Sequence, residues 1–197
     1  MNNLMAGHKR FRSGYWRRYQ KRFATLARDG QAPEAMVIAC SDSRVSPEVI
    51  FDCAPGEIFV VRNVSNLVPP YAPDTGNHGT SAALEFAVTV LKVKTLVVLG
   101  HSLCGGIRAL MSGPAGGHGD FIESWMAIAQ TARQRVCDSP EPDEAFDSLC
   151  YRCEHESIRV SLSNLMTFPW IASRVKAGEL TLAGLHFDVQ TGKLQTI

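Results

Sequence analysis

No apolar run in this chain approaches the roughly 18 consecutive residues a membrane-spanning helix needs, which excludes a helical membrane protein. An excess of one charge is missing as well. With 20 Lys and Arg against 19 Asp and Glu, the formal net charge is +1, so no global field draws the chain to nucleic acid or to an anionic membrane. A small uncharged or singly charged ligand suits it better. The first residues hold no apolar stretch of secretory type, and no internal repeat or low-complexity tract interrupts the pattern, so a soluble, cytoplasmic chain is expected.

What the chain does have is 197 residues at 45% hydrophobic composition, enough to bury one good core within a single domain. Its 6 cysteines do not read as a secreted disulfide framework, which belongs to small loop-rich chains, and reduced thiols are the expected state. Between residues 9 and 27, Phe11, Tyr15, Trp16, Tyr19 and Phe23 recur at helical spacing among Arg17, Arg18, Lys21 and Arg22, the pattern of an amphipathic helix. Aromatics among arginines also suit RNA, but the neutral overall charge favours a helix packed on its own domain or on a partner subunit. Residues 1–28 are therefore read as an N-terminal helical arm and residues 29–197 as a single α/β domain.

Asp29-Gly30 closes the arm, and an apolar run over 35–39 has strand length and ends at Cys40. A turn at Ala54-Pro55-Gly56 precedes a second strand over 58–61, followed by a loop rich in Pro, Gly and Asn over 66–79. Residues 81–92 read as a helix. The continuously apolar strand over 95–99 is ended by Gly100, just before His101. Helices over 121–136 and 146–166 follow, and 181–189 with the stretch after Thr191-Gly192 suggest a closing edge strand or hairpin. This alternation implies right-handed crossovers and an α/β fold: a central, mostly parallel sheet of four to five strands flanked by helices, with sites beyond the carboxyl ends of the strands.

Two short segments sit at such ends. Cys40-Ser41-Asp42-Ser43-Arg44 and His101-Ser102-Leu103-Cys104 together offer a divalent metal two thiolates and one imidazole. Structural zinc is held by four protein ligands, whereas catalytic zinc keeps a position for water or substrate, so Cys40, His101 and Cys104 point to one catalytic Zn2+ per chain. Asp42 is the natural fourth candidate, and the planar, always-charged fork of Arg44 can hold it as a carboxylate. Zinc acts there as a Lewis acid and lowers the pKa of bound water to about 7, making hydroxide available at neutral pH. Two thiolates leave that water less acidic than three histidines would, unless neighbouring groups compensate. Asp42 held by Arg44 can orient the hydroxide, or can move onto the metal and displace the water. Gly105 and Gly106 begin a helix, where backbone N–H groups support the Cys104 thiolate and the missing side chains permit close packing.

These residues carry a resemblance. Cys40-Ser-Asp-Ser-Arg44, Pro55-Gly-Glu-Ile-Phe-Val-Val-Arg-Asn63 and Gly100-His-Ser-Leu-Cys-Gly-Gly106 closely resemble the β-class carbonic anhydrases, whose order of motifs the chain follows from Tyr15 to Phe187. The resemblance implies zinc on Cys40, His101 and Cys104, Asp42 and Arg44 as the catalytic dyad, and reversible hydration of carbon dioxide to bicarbonate and a proton. Within the class the chain is most similar to the plant-type branch, which implies a substrate pocket of Gln31, Phe59, Val64, Phe86 and Gly105. Phe86 stands where that branch carries tyrosine, so a hydroxyl is missing, and the 71–80 loop is slightly longer. A second branch binds inhibitory bicarbonate through a tryptophan three residues before the first zinc cysteine. Val37 stands there, which implies an open site with Asp42 paired to Arg44. The resemblance further implies a homodimer or homotetramer with shared pockets, and carbon dioxide and bicarbonate as its ligands, with neither nucleic acid nor membrane as partner.

Plainer readings cover the remaining candidates. His8, His118, His155 and His186 have no ligand-like company, and His78 reads as a loop residue rather than a proton shuttle. Cys150 and Cys153, with His155 nearby, have C-x-x-C spacing but lie in a predicted helix without a second pair, so buried incidental thiols are expected. Cys53 and Cys137 read as small buried hydrophobes. Two rival functions stand: a carbonyl sulfide or carbon disulfide hydrolase on the same site, and a non-catalytic zinc or thiol-redox module. A structural site has no use for an Asp42–Arg44 dyad, which disfavours the second.

Overall fold

Strands β1 (Ala35–Cys40), β2 (Ile58–Asn63), β3 (Thr95–His101), β4 (Thr181–Phe187) and β5 (Leu194–Thr196) form one sheet in the order β2-β1-β3-β4-β5. The first four run parallel and β5 closes the edge antiparallel to β4. The computed structural model describes residues 1–113, 119–139 and 143–197; His118 lies outside them. No helix among the described residues is long and apolar enough to cross a membrane.

β1 and β3 are the central strands, and their apolar runs are buried from Met36 to Cys40 and from Leu96 to His101. Alternation sends Met36, Ile38, Leu96 and Val98 to one face, where they pack with Ile158, Leu165, Phe168 and Ile171. Val37, Ala39, Val97 and Leu99 line the other face with Ile58, Val60 and Leu185. From β1 the chain moves outward to β2, then returns to place β3 on the opposite side of β1. That reversal makes the carboxyl ends of β1 and β3 the switch point where ligands gather in such sheets.

Helix α8 (Phe146–Leu165) buries Cys150, Cys153, Glu154, Ser157, Ile158, Ser161 and Leu165, a three-to-four-residue stripe turned to the sheet. It lies close to β3. A Cβ on Gly100 would stand 2.6 Å from Ile158 Cδ1, so only glycine admits the helix at that distance. Helix α9 (Pro169–Lys176) starts with proline at its first position, where the missing N–H costs nothing.

Several predicted boundaries change. The arm is two helices, α1 (Asn2–Ser13) and α2 (Tyr15–Asp29), separated at Gly14. Within this one chain neither buries a residue; α2 touches the body through Arg22, whose Nε donates to Pro55 O. A short α3 (Pro47–Ile50) was not expected. The predicted 81–92 helix is α4 (Gly79–Glu85) continued by a π-helical turn at Phe86–Val90, where Leu91 N–H reaches Phe86 O. α5 (Gly105–Ser112) follows β3, and the predicted 121–136 helix is α6 (Ile122–Met126) and α7 (Gln130–Cys137) joined by a tighter turn. Cys150 and Cys153 are buried, but Cys137, at the last position of α7, is exposed and Cys53 only half-buried. All six thiols are unpaired.

Candidate metal centre

Cys40 is the last residue of β1 and His101 the last of β3, so two adjacent parallel strands deliver a thiol and an imidazole to the same end of the sheet. Cys104 arrives three residues later. Leu103, at φ 59, takes the left-handed conformation that turns the chain so that Cys104 caps α5. The ligand-type atoms of Cys40, His101 and Cys104 all lie within 4.8 Å of one another, and all three residues are buried. His101 Nδ1 meets Ser102 O at 2.9 Å, which assigns the proton to Nδ1 and turns the Nε2 lone pair towards the sulfurs. Nε2 is buried with no hydrogen-bond partner. A buried unpaired acceptor facing two thiols suits a tetrahedral zinc ion, whose bonds of about 2.0–2.3 Å would draw the three ligand atoms in to under about 4 Å of one another.

The two thiols are not equivalent. Cys104 ionises first: the Cys40 thiol donates to it and, with the Ser65 hydroxyl and the N–H groups of Ile107 and Gly106, brings it to about 7 against the opposing effect of burial. The same Cys40–Cys104 bond, together with burial, pushes the Cys40 thiol up to about 12.

Asp42 lies outside this three-atom cluster and is held by Arg44. Arg44 donates from Nε to Asp42 Oδ1 at 2.9 Å, from its terminal nitrogen to Oδ2 at 2.7 Å, and from its backbone N–H to Oδ1 at 2.9 Å. This fork holds the Asp42 carboxyl well below the usual carboxylate range. The same guanidinium donates to Leu103 O at 3.0 Å, tying the two sequence segments together. Arg62 on β2 donates to Cys40 O at 2.9 Å and to Asp42 O at 2.6 Å, bracing the turn from behind.

The expected pocket residues are spread more widely. The Phe59 and Phe86 rings meet in a tilted pair at 5.9 Å between centroids, with Phe86 43% exposed. Gly105 is exposed with open space around its Cα, and Gln31 is exposed in the connection before β1. Val64 lines a cavity of about 700 Å³ that also touches Asn63, His78, Thr80 and Trp125 but none of the three metal-type residues. His78 pairs with Asp74 at 2.7 Å in the 71–80 loop.

The model of the carbonic anhydrase family matches residues 35–194, which span all five strands almost completely. The chain belongs to the carbonic anhydrase family. It is 37% identical over 195 residues to β carbonic anhydrase 3 of Arabidopsis thaliana, covering 98% of this chain and 74% of that one. The solved structure of the β-carbonic anhydrase CcaA superposes over all of this chain and 86% of its own with a TM-score of 0.91 at 32% identity. Two tetrameric β-carbonic anhydrases of Sordaria macrospora gave a structure similar over the whole chain and 92% of its own, with a TM-score of 0.75 at 30% identity.

Three residues of this carbonic anhydrase family member escaped the sequence reading. His186, set aside as having no company, is 1% exposed and meets Glu154 Oε2 at 3.1 Å, while Glu154 Oε1 accepts the Cys104 N–H at 3.0 Å. Ser65 is fully buried, with its Oγ 3.5 Å from Cys104 Sγ. Each partner lies 32 to 50 residues away along the chain, so no local spacing announces the contact.

Proposed function

We propose that this chain catalyses the reversible hydration of carbon dioxide to bicarbonate and a proton, with one zinc ion held by Cys40, His101 and Cys104. The observation that carries this reading is the unpartnered, buried Nε2 of His101 facing two thiols, beside a carboxylate already clamped by Arg44. Zinc bound there would supply the Lewis acidity that lets water attack carbon dioxide near neutral pH. Asp42 is the proton acceptor and orienting group. Its Oδ1 takes two donors from Arg44 and its Oδ2 one, so Oδ2 keeps a lone pair for the attacking water. Arg44 keeps that carboxylate ionised and aimed.

We assign Gln31, Phe59, Val64, Phe86 and Gly105 to the walls of the substrate pocket. Gln31 and Phe86 are exposed in the single chain, and we infer that a second copy covers them, in a homodimer or homotetramer with shared sites. The tetrameric assembly of the Sordaria macrospora proteins supports that assignment. Residues 1–28 serve in this reading as the arm and 29–197 as the catalytic domain. Six unpaired thiols suit a reducing compartment, and we place the protein in the cytoplasm.

The test is metal analysis of the purified protein with stopped-flow measurement of carbon dioxide hydration, run beside hydrolysis of carbonyl sulfide. One zinc per chain with fast hydration supports the reading. A folded protein without zinc-dependent hydration overturns it, and preferential release of sulfide selects the hydrolase.

A further inference from the structure

The short turn Val64–Asn66 between β2 and the 67–78 loop is built in a costly way. Ser65 has φ 64 and ψ 23, and Asn66 follows at φ 50, two successive non-glycine residues in the left-handed region. The turn is clamped at both ends. Trp125 Nε1–H donates to Val64 O at 2.8 Å, and the Asn63 side-chain amide both donates to Leu67 O and accepts the Leu67 N–H at 2.9 Å. The strained conformation sends the Ser65 hydroxyl inward, into space left free by Gly106, where a Cβ would stand 2.1 Å from Ser65 Oγ.

Two sulfurs lie within reach of that hydroxyl: Cys104 Sγ at 3.5 Å and Met126 Sδ at 3.7 Å. A serine has one proton to donate. An anionic thiolate accepts it more strongly than a neutral thioether, so the proton goes to Cys104 whenever that thiol is ionised. We propose that Ser65 is a positioning residue of the metal centre, its hydroxyl donating to the Cys104 thiolate and thereby orienting that ligand and drawing negative charge from it. The proposal rests on the assignment of Cys104 as a zinc ligand. A thiolate that shares its charge with a donor gives less to the metal, which stays the stronger Lewis acid. Ser65 thus offsets the weakening of Lewis acidity that a two-thiolate ligand set brings.

Cobalt(II) is the probe, because its thiolate-to-metal charge-transfer band reports the electron density on sulfur. Parent, Ser65→Ala, Ser65→Gly and Met126→Leu proteins are loaded with cobalt, and their zinc forms are assayed for hydration across pH. Both Ser65 variants are expected to take up one cobalt and to show the band moved to lower energy. The acid limb of their pH profiles should move up by about one unit, a loss of about five- to tenfold at neutral pH. Met126→Leu leaves the band where it is. Ser65→Gly relieves the left-handed strain and Ser65→Ala does not, so the two differ in thermal stability yet agree in spectrum, which separates the hydrogen bond from packing. An unmoved band and profile in both Ser65 variants overturns the proposal, as does a shift reproduced by Met126→Leu. A parent protein that takes up no cobalt overturns the metal-centre assignment itself, an outcome distinct from an unmoved band.

Discussion

The backbone N–H of Cys104 donates to Glu154 at 3.0 Å across fifty residues of chain, and the second oxygen of that carboxylate meets His186 at 3.1 Å. Both side chains are almost wholly buried, at 3% and 1% exposure. A buried carboxylate survives only when its oxygens are hydrogen-bonded, and here the bonding partners are the loop that carries Cys104 and the strand that follows the site. Glu154 thereby fixes where Cys104 sits without touching its sulfur.

Removal of that carboxylate leaves two buried groups without partners. Glu154→Ala is expected to lower stability by about 3 kcal/mol, and Glu154→Gln, which keeps an acceptor and a similar volume, by about 1 kcal/mol. Urea unfolding of the two variants checks the ranking; equal losses would mean that the hydrogen bonds contribute little.

Adjacent glycines give a second contrast. A Cβ on Gly106 meets Ser65 Oγ at 2.1 Å and Val64 Cγ1 at 3.1 Å, whereas one on Gly105 meets nothing within 4 Å. Gly106→Ala should cost about 2 kcal/mol through overpacking, with Gly105→Ala within about 0.5 kcal/mol of the parent. Thermal melts of both decide it.

Ligand and dyad substitutions should separate cleanly. Cys104→Ala is expected to lose zinc and activity together. Asp42→Ala should retain zinc but lose about 100-fold or more in turnover, the usual worth of a positioned proton acceptor. Zinc content and hydration rate measured on the same preparations test both, and parent-like turnover in Asp42→Ala removes Asp42 from the mechanism.

His155 supplies a pH dependence. Its ring packs on Tyr151 at 4.4 Å and His186 at 4.5 Å, and burial, with His186 and Arg159 nearby, holds its pKa down to about 4 from the ordinary 6.5. As pH falls from 6.5 towards 4, the unfolded imidazole binds a proton that the folded one refuses, so this stability is present above 6.5 and lost over that window. In His155→Gln the thermal midpoint should fall less between pH 6.5 and 4 than in the parent. Parallel curves for the two proteins would contradict the assignment.

Whatever depends on neighbours in the chain was legible before folding. The strand ending at Cys40, the strand ending beside His101 and the parallel order of the sheet all follow from apolar runs of strand length bounded by turn residues. So does the pairing of Asp42 with Arg44, two residues apart in one turn. Gly14 was different: nothing in the aromatic stripe that crosses it announces a break, which only the backbone of the two helices reveals.

By itself, the order of amino acids determined the strands, the sheet's direction and the two short segments that meet at its carboxyl end, because periodicity, turn chemistry and motif spacing act within a few residues. Only the tertiary structure decided what surrounds the cluster. Ser65 reaches Cys104 from another loop, Glu154 approaches from α8, and His186 looks ordinary until β4 sets it against Glu154. Such contacts belong to packing: they exist when the sheet and α8 close together, and a buried hydroxyl or carboxylate acquires its role from the atoms then pressed against it.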